Sequence, residues 1–85
     1  MKHAGSAALD ALEPLLAKIR AADRLKERSR GVFYRKGRAF LHFHEEPSGL
    51  YADVRRAGGS DFERIRVDQP EGEAALLARV AMLKS

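Results

Sequence analysis

Between Gly31 and Val67 the apolar residues recur at every second position, and this alternation is cut three times by short turn signals: Lys36-Gly37, Glu46-Pro47-Ser48-Gly49 and Ala57-Gly58-Gly59-Ser60. A period of two belongs to a strand, and connections this short join only antiparallel neighbours. The runs VFYR, AFLHFHE, LYADVR and FERIRV therefore predict a four-stranded antiparallel meander. Upstream, Leu9, Leu12, Leu15, Leu16 and Ile19 follow the three-four spacing of one helical stripe behind Ser6 and extend to Leu25, which predicts a helix over about residues 6–29 ending at Gly31. Pro14 cannot donate to the carbonyl of Asp10, so this helix either kinks or restarts there. Downstream, Asp68, Pro70 and Glu71 form a helix-start pattern before Leu76, Leu77, Val80 and Leu83, predicting a second helix over about residues 69–83. The expected architecture is one domain over residues 1–85, α+β in the order αββββα, with both helices on one face of the sheet.

Turn lengths set a register. A two-residue Lys36-Gly37 turn pairs Arg35 with Arg38, so Phe33 faces Phe40 and Val32 faces Leu41. The next two loops pair Glu45 with Leu50 and Arg56 with Asp61. The face toward the helices then carries Val32, Tyr34, Ala39, Leu41, Phe43, Leu50, Ala52, Val54, Ile65 and Val67. The opposite face carries three cross-strand rows: Phe33, Phe40, Arg55 and Phe62; then Gly31, His42, Asp53 and Arg64; then His44, Tyr51 and Arg66. This leaves a thin core, because 14 of the 38 apolar residues are alanine and three of the four phenylalanines point away from the helices.

Charge is unevenly placed. The chain carries +4 overall, but residues 17–38 alone hold nine basic and two acidic side chains. Such a segment attracts polyanions, and it equally suits a solvated helix C-terminus. The chain has no cysteine, which excludes disulfides, thiol catalysis and Cys-ligated metal centres and fits a reducing, cytoplasmic setting. No apolar run approaches the ~20 residues that span a bilayer, so no membrane association is expected. Eleven arginines against five lysines, with abundant alanine, suggest a GC-rich bacterial source.

The outward face is the candidate binding surface: Phe33, Arg35, Arg38, Phe40, His42, His44, Tyr51, Asp53, Arg55, Phe62, Arg64 and Arg66. Aromatic rings interleaved with arginine suit a single-stranded nucleic acid, with bases stacked on Phe33, Phe40, Tyr51 and Phe62 and phosphates met by the arginines. The same composition suits a protein interface or a homodimer, which would support a thin-cored domain. If a helix covered this side instead, the phenylalanines would be core. A third reading is metal or hydrolytic chemistry: His42 and His44 form an H-x-H pair on one strand opposite Asp53, with Glu46 or His3 as additional ligands. Arg64 beside Asp53 argues against it, and a hydrogen-bonded polar row is the expectation. No phosphate-binding glycine loop, nucleophile elbow or other catalytic motif is present, so a non-enzymatic module without a cofactor is expected.

The block GVFYRKGRAFLHFHEEPSGLYADVR, residues 31–55, resembles a hairpin found in small uncharacterised bacterial α+β proteins. More remotely, RKGRAFLHFHEEPSGLYADV is similar to the middle of YjbR/MmcQ-type domains, which are suspected of binding DNA. The likeness covers about 20 residues of sheet and turn. It implies a compact bacterial α+β domain and transfers no site residue.

Overall fold

The computed structural model describes residues 2–56 and 61–83. In chain order the elements are β1 (Lys2–His3), α1 (Ser6–Ala11), α2 (Glu13–Ala22), β2 (Lys26–Ser29), β3 (Val32–Arg35), β4 (Arg38–Glu46), β5 (Gly49–Arg55), β6 (Phe62–Arg66) and α3 (Pro70–Ala81). The fold is α+β. Its antiparallel sheet runs β2-β3-β4-β5-β6, and the short β1 pairs with the far end of β4. Leu12, Leu15, Leu16 and Ile19 meet Leu76 of α3 and the strand residues Phe33, Phe40, Leu41, Phe43, Ala52 and Val54 in one core. The turn expected at Ala57-Gly58-Gly59-Ser60 lies outside the described residues. The strands beside it pair as expected, with Arg55 opposite Phe62 and the Arg56 amide donating to the Asp61 carbonyl at 3.1 Å.

The first helix restarts beside Pro14, one of the two outcomes expected, and departs from expectation at its end. It breaks at Leu12, and Pro14 sits in the first turn of α2, where a missing N–H costs nothing. It then stops at Ala22, because Asp23 adopts a left-handed conformation at φ 55°, which Asp tolerates better than most residues. The segment Lys26–Ser29, expected as helix, is instead a strand paired with β3, so the expected four-stranded meander gains β2 at its edge. Gly31 does not stop a helix. It occupies the β2–β3 turn at φ 79°, and a Cβ there would lie 2.7 Å from Leu9 Cδ2. The Glu27 carboxylate ties this turn to α2, accepting the Gly31 amide at 2.9 Å and Arg20 Nε at 2.6 Å.

The β3–β4 register is the second correction. Lys36 and Gly37 both have positive φ, 54° and 80°, the type I′ geometry that matches strand twist. Arg35 faces Arg38 and Tyr34 faces Ala39, but then Phe33 pairs with Leu41 and Val32 with His42. Phe40 is therefore an extra residue, a β-bulge. Phe33 turns to the helix side and is 1% exposed, and Phe40 joins it at 8%. Val32, expected in the core, shares the outer face with His42. Burying an aromatic side chain contributes roughly 1.5 to 3 kcal/mol, so the bulge gives up one ladder position and thickens the thin core by two rings.

Candidate functional site

With all helix packing on one side, the outer face of the sheet presents three rows. In the first, Arg55 pairs with Phe62, its guanidinium stacked 4.7 Å above the ring while Nε donates to the Ala39 carbonyl at 2.8 Å. The second reads Val32, His42, Asp53 and Arg64, and the third His3, His44, Tyr51 and Arg66. From β4 to β6 the last two rows are those expected from turn lengths, because the β4–β5 and β5–β6 registers match expectation pair for pair; the second row carries Val32 where Gly31 was expected, and the third is extended by His3. Phe33 and Phe40, placed on this face by the sequence, belong to the core. The aromatic row is thus reduced to Phe62, and Tyr51 is flanked by Arg64 and Arg66 at 6.0 and 5.9 Å.

At the centre lie three imidazoles. Ring centroids are separated by 5.6 Å for His3–His42, 5.0 Å for His3–His44 and 4.8 Å for His42–His44, and one ring nitrogen from each falls within 4.8 Å of the others. His44 is buried, His42 half-buried and His3 exposed. Asp53 Oδ2 lies 2.9 Å from His44 Nε2, while His44 Nδ1 and His42 Nδ1 are buried without a hydrogen-bond partner. The other carboxylate oxygen of Asp53 accepts Arg64 Nε at 3.1 Å. Burial holds His42 below its ordinary pKa, and the nearby charges of His44 and His3 act in the same direction against Asp53. His42 therefore favours the neutral, ligating form.

The arginines expected to meet phosphate are mostly engaged. Arg64 pairs with Asp53 and, at 3.7 Å, with Glu46; Arg66 pairs with Asp68 at 2.6 Å. Within the basic segment, Lys18, Arg20 and Arg30 are paired with Glu73, Glu13, Glu27 and Asp10. Five other cations, Arg24, Lys26, Arg28, Lys36 and Arg38, are exposed and have no acidic partner among the described residues. They gather where the α2–β2 loop, β2 and the β3–β4 turn meet. Tyr34 sits among them, with Arg28 stacked at 4.6 Å, and a shallow depression of about 280 Å³ is lined by Arg24, Lys26, Tyr34, Arg35 and Lys36 together with Asp23 and Leu25. The sequence singled out this basic segment but placed Lys26 and Arg28 at a helix end, so their meeting with Tyr34 on the sheet was not foreseen.

Compared with protein-family models, curated proteins and solved structures, the chain has no match. Among the described residues no helix is long and apolar enough to cross a membrane.

Proposed function

We propose that the protein is a small binding module for single-stranded nucleic acid, and that the strand lies across the cationic end of the sheet formed by the α2–β2 loop, β2 and the β3–β4 turn. The observation that carries this reading is the segregation of charge: Arg24, Lys26, Arg28, Lys36 and Arg38, which have no acidic partner among the described residues, lie at one end of the sheet, while Lys18, Arg20, Arg30, Arg64, Arg66 and Arg79 each contact a carboxylate. Unneutralised cations repel one another, and a polyanion relieves that repulsion. Tyr34 supplies a ring at the middle of the patch, which favours a strand with unpaired bases over a plain polyanion. Phe33 and Phe40 have no part in this reading.

Fluorescence anisotropy with a labelled mixed-sequence single strand tests it. Neutralising five phosphates on a single strand gives a log–log salt slope of about −3.5. Raising salt from 50 to 200 mM should then weaken binding about a hundred-fold. Lys26→Glu/Arg28→Glu should reduce both affinity and slope. Absence of binding at low salt, or binding unchanged by the double substitution, overturns the reading.

A further inference from the structure

We propose that His3, His42 and His44 form a three-imidazole site for a divalent first-row transition-metal ion, zinc in the first instance, with Asp53 as the carboxylate that orients His44. The site is separate from the cationic end of the sheet, and neither proposal depends on the other.

The arrangement comes from two elements far apart in sequence. His42 and His44 alternate with Leu41 and Phe43 on β4, so burying those two side chains directs both imidazoles to the opposite face. His3 arrives through β1, whose pairing sets it opposite His44, and the Ala4 amide continues the ladder by donating to the Phe43 carbonyl at 3.1 Å. The nitrogens already lie within 4.8 Å of one another. A tetrahedral zinc with bonds near 2.05 Å needs them about 3.3 Å apart. Closing that gap falls to His3, whose exposed side chain is not packed into the core.

The unpartnered nitrogens point to a ligand more strongly than the spacing does. A buried polar atom without a partner costs roughly 1 to 3 kcal/mol, and this small cluster holds two that no protein group reaches, His42 Nδ1 and His44 Nδ1, the latter on a side chain that is 9% exposed. A metal ion takes up lone pairs that no protein donor reaches. Asp53 completes the arrangement. Asp53 Oδ2, 2.9 Å from His44 Nε2, claims that nitrogen and leaves Nδ1 for the metal, as in carboxylate–histidine–metal triads. Arg64, an argument against a metal site on sequence alone, contacts the other oxygen of Asp53. It fixes the carboxylate outside the imidazole set, and its charge is partly balanced by Glu46.

The donor set determines the class of ion. Three imidazole nitrogens suit zinc and its first-row neighbours, whereas magnesium and calcium require oxygen ligands. Three protein ligands leave a fourth position, which opens to solvent on the His3 side.

The test uses untagged protein stripped of metal and titrated with zinc chloride by calorimetry. One zinc should bind per chain with a dissociation constant below about 10 µM, and cobalt(II) in its place should give the intense visible absorption of a four-coordinate ion. His42→Ala and His44→Ala should abolish binding, His3→Ala should weaken it at least about ten-fold, and Asp53→Asn should weaken it about 10- to 100-fold without changing stoichiometry. Circular dichroism checks that each variant folds. If His44→Ala does not, His42→Ala and the exposed His3→Ala decide the question. Absence of stoichiometric binding, or wild-type affinity in both of these variants, overturns the proposal.

Discussion

Replacing Phe33 with alanine discriminates between the two ways the β3–β4 pair can be threaded. With the bulge at Phe40, Phe33 lies opposite Leu41 and is 1% exposed; without it, the ring stands on the open face. A buried Phe→Ala change loses the transfer free energy of the ring and leaves a cavity, together about 3 to 5 kcal/mol. A chain of this length has a total stability of roughly 4 to 13 kcal/mol at 0.05 to 0.15 per residue. The substitution therefore removes a large fraction of the total, and at about 4 to 8 °C per kcal/mol it lowers Tm by roughly 12 to 40 °C. Phe62→Ala is the internal control. That ring is only partly buried and packs against Arg55 and His42, so its loss should cost about 1 kcal/mol. Urea unfolding followed by circular dichroism, with unchanged m-values as the check on two-state behaviour, gives both numbers. A Phe33→Ala cost no larger than that of Phe62→Ala would refute the bulged register and return Phe33 to the outer face.

Two further outcomes follow from contacts at the ends of elements. A Cβ at Gly72 would lie 1.5 Å from the Arg66 carbonyl oxygen, so Gly72→Ala should push the first turn of α3 off β6 and cost about 1 to 3 kcal/mol; an unchanged urea midpoint would show that the helix does not seat there. The Arg20 guanidinium, followed by the Gly31 amide, holds the Glu27 carboxyl below its ordinary 4.5. A depressed carboxylate stabilises the fold fully above its unfolded pKa and loses that contribution as pH falls through the folded value. Glu27→Gln should therefore lower Tm at pH 7, and the gap to wild type should close well below pH 4.5; a gap constant across that range would remove the ion pair from the account.

What the sequence revealed depended on whether a residue's neighbours were dictated by a turn or by the core. The pairing of Glu45 with Leu50, Phe43 with Ala52 and Ala52 with Ile65 follows from loop length and alternation, and a one-residue slip there would invert a whole strand. That argument placed His42, His44, Tyr51, Asp53, Arg64 and Arg66 on one face in the observed order. It failed at Phe40, since no glycine or proline marks the bulge and what favours it is the space the helices leave for two more rings. It failed again at Lys26–Ser29, where KERS has no apolar alternation and becomes a strand only because Asp23 ends the helix and Gly31 allows a tight return to β3. The two-residue β1 is too short for any periodicity to register.

The three histidines are not equally prepared for a ligand. His42 and His44 are fixed by the core, because a β4 that turned them inward would bury unpartnered imidazoles in place of Leu41 and Phe43 and expose two large apolar side chains. Their position relative to Asp53 is thus set whether or not an ion is present, which is the precondition for a site held on rigid elements. His3 depends on the two residues of β1 and on two hydrogen bonds just beyond it, from the Ala4 amide to the Phe43 carbonyl and from the Gly5 amide to Glu45 Oε1, a tether that little apolar burial supports. Part of the free energy released when His3 coordinates must go to ordering the segment around it. His3→Ala should therefore cost less affinity than His42→Ala, although each removes one imidazole. Equal losses would mean that β1 is held as firmly as the core strands.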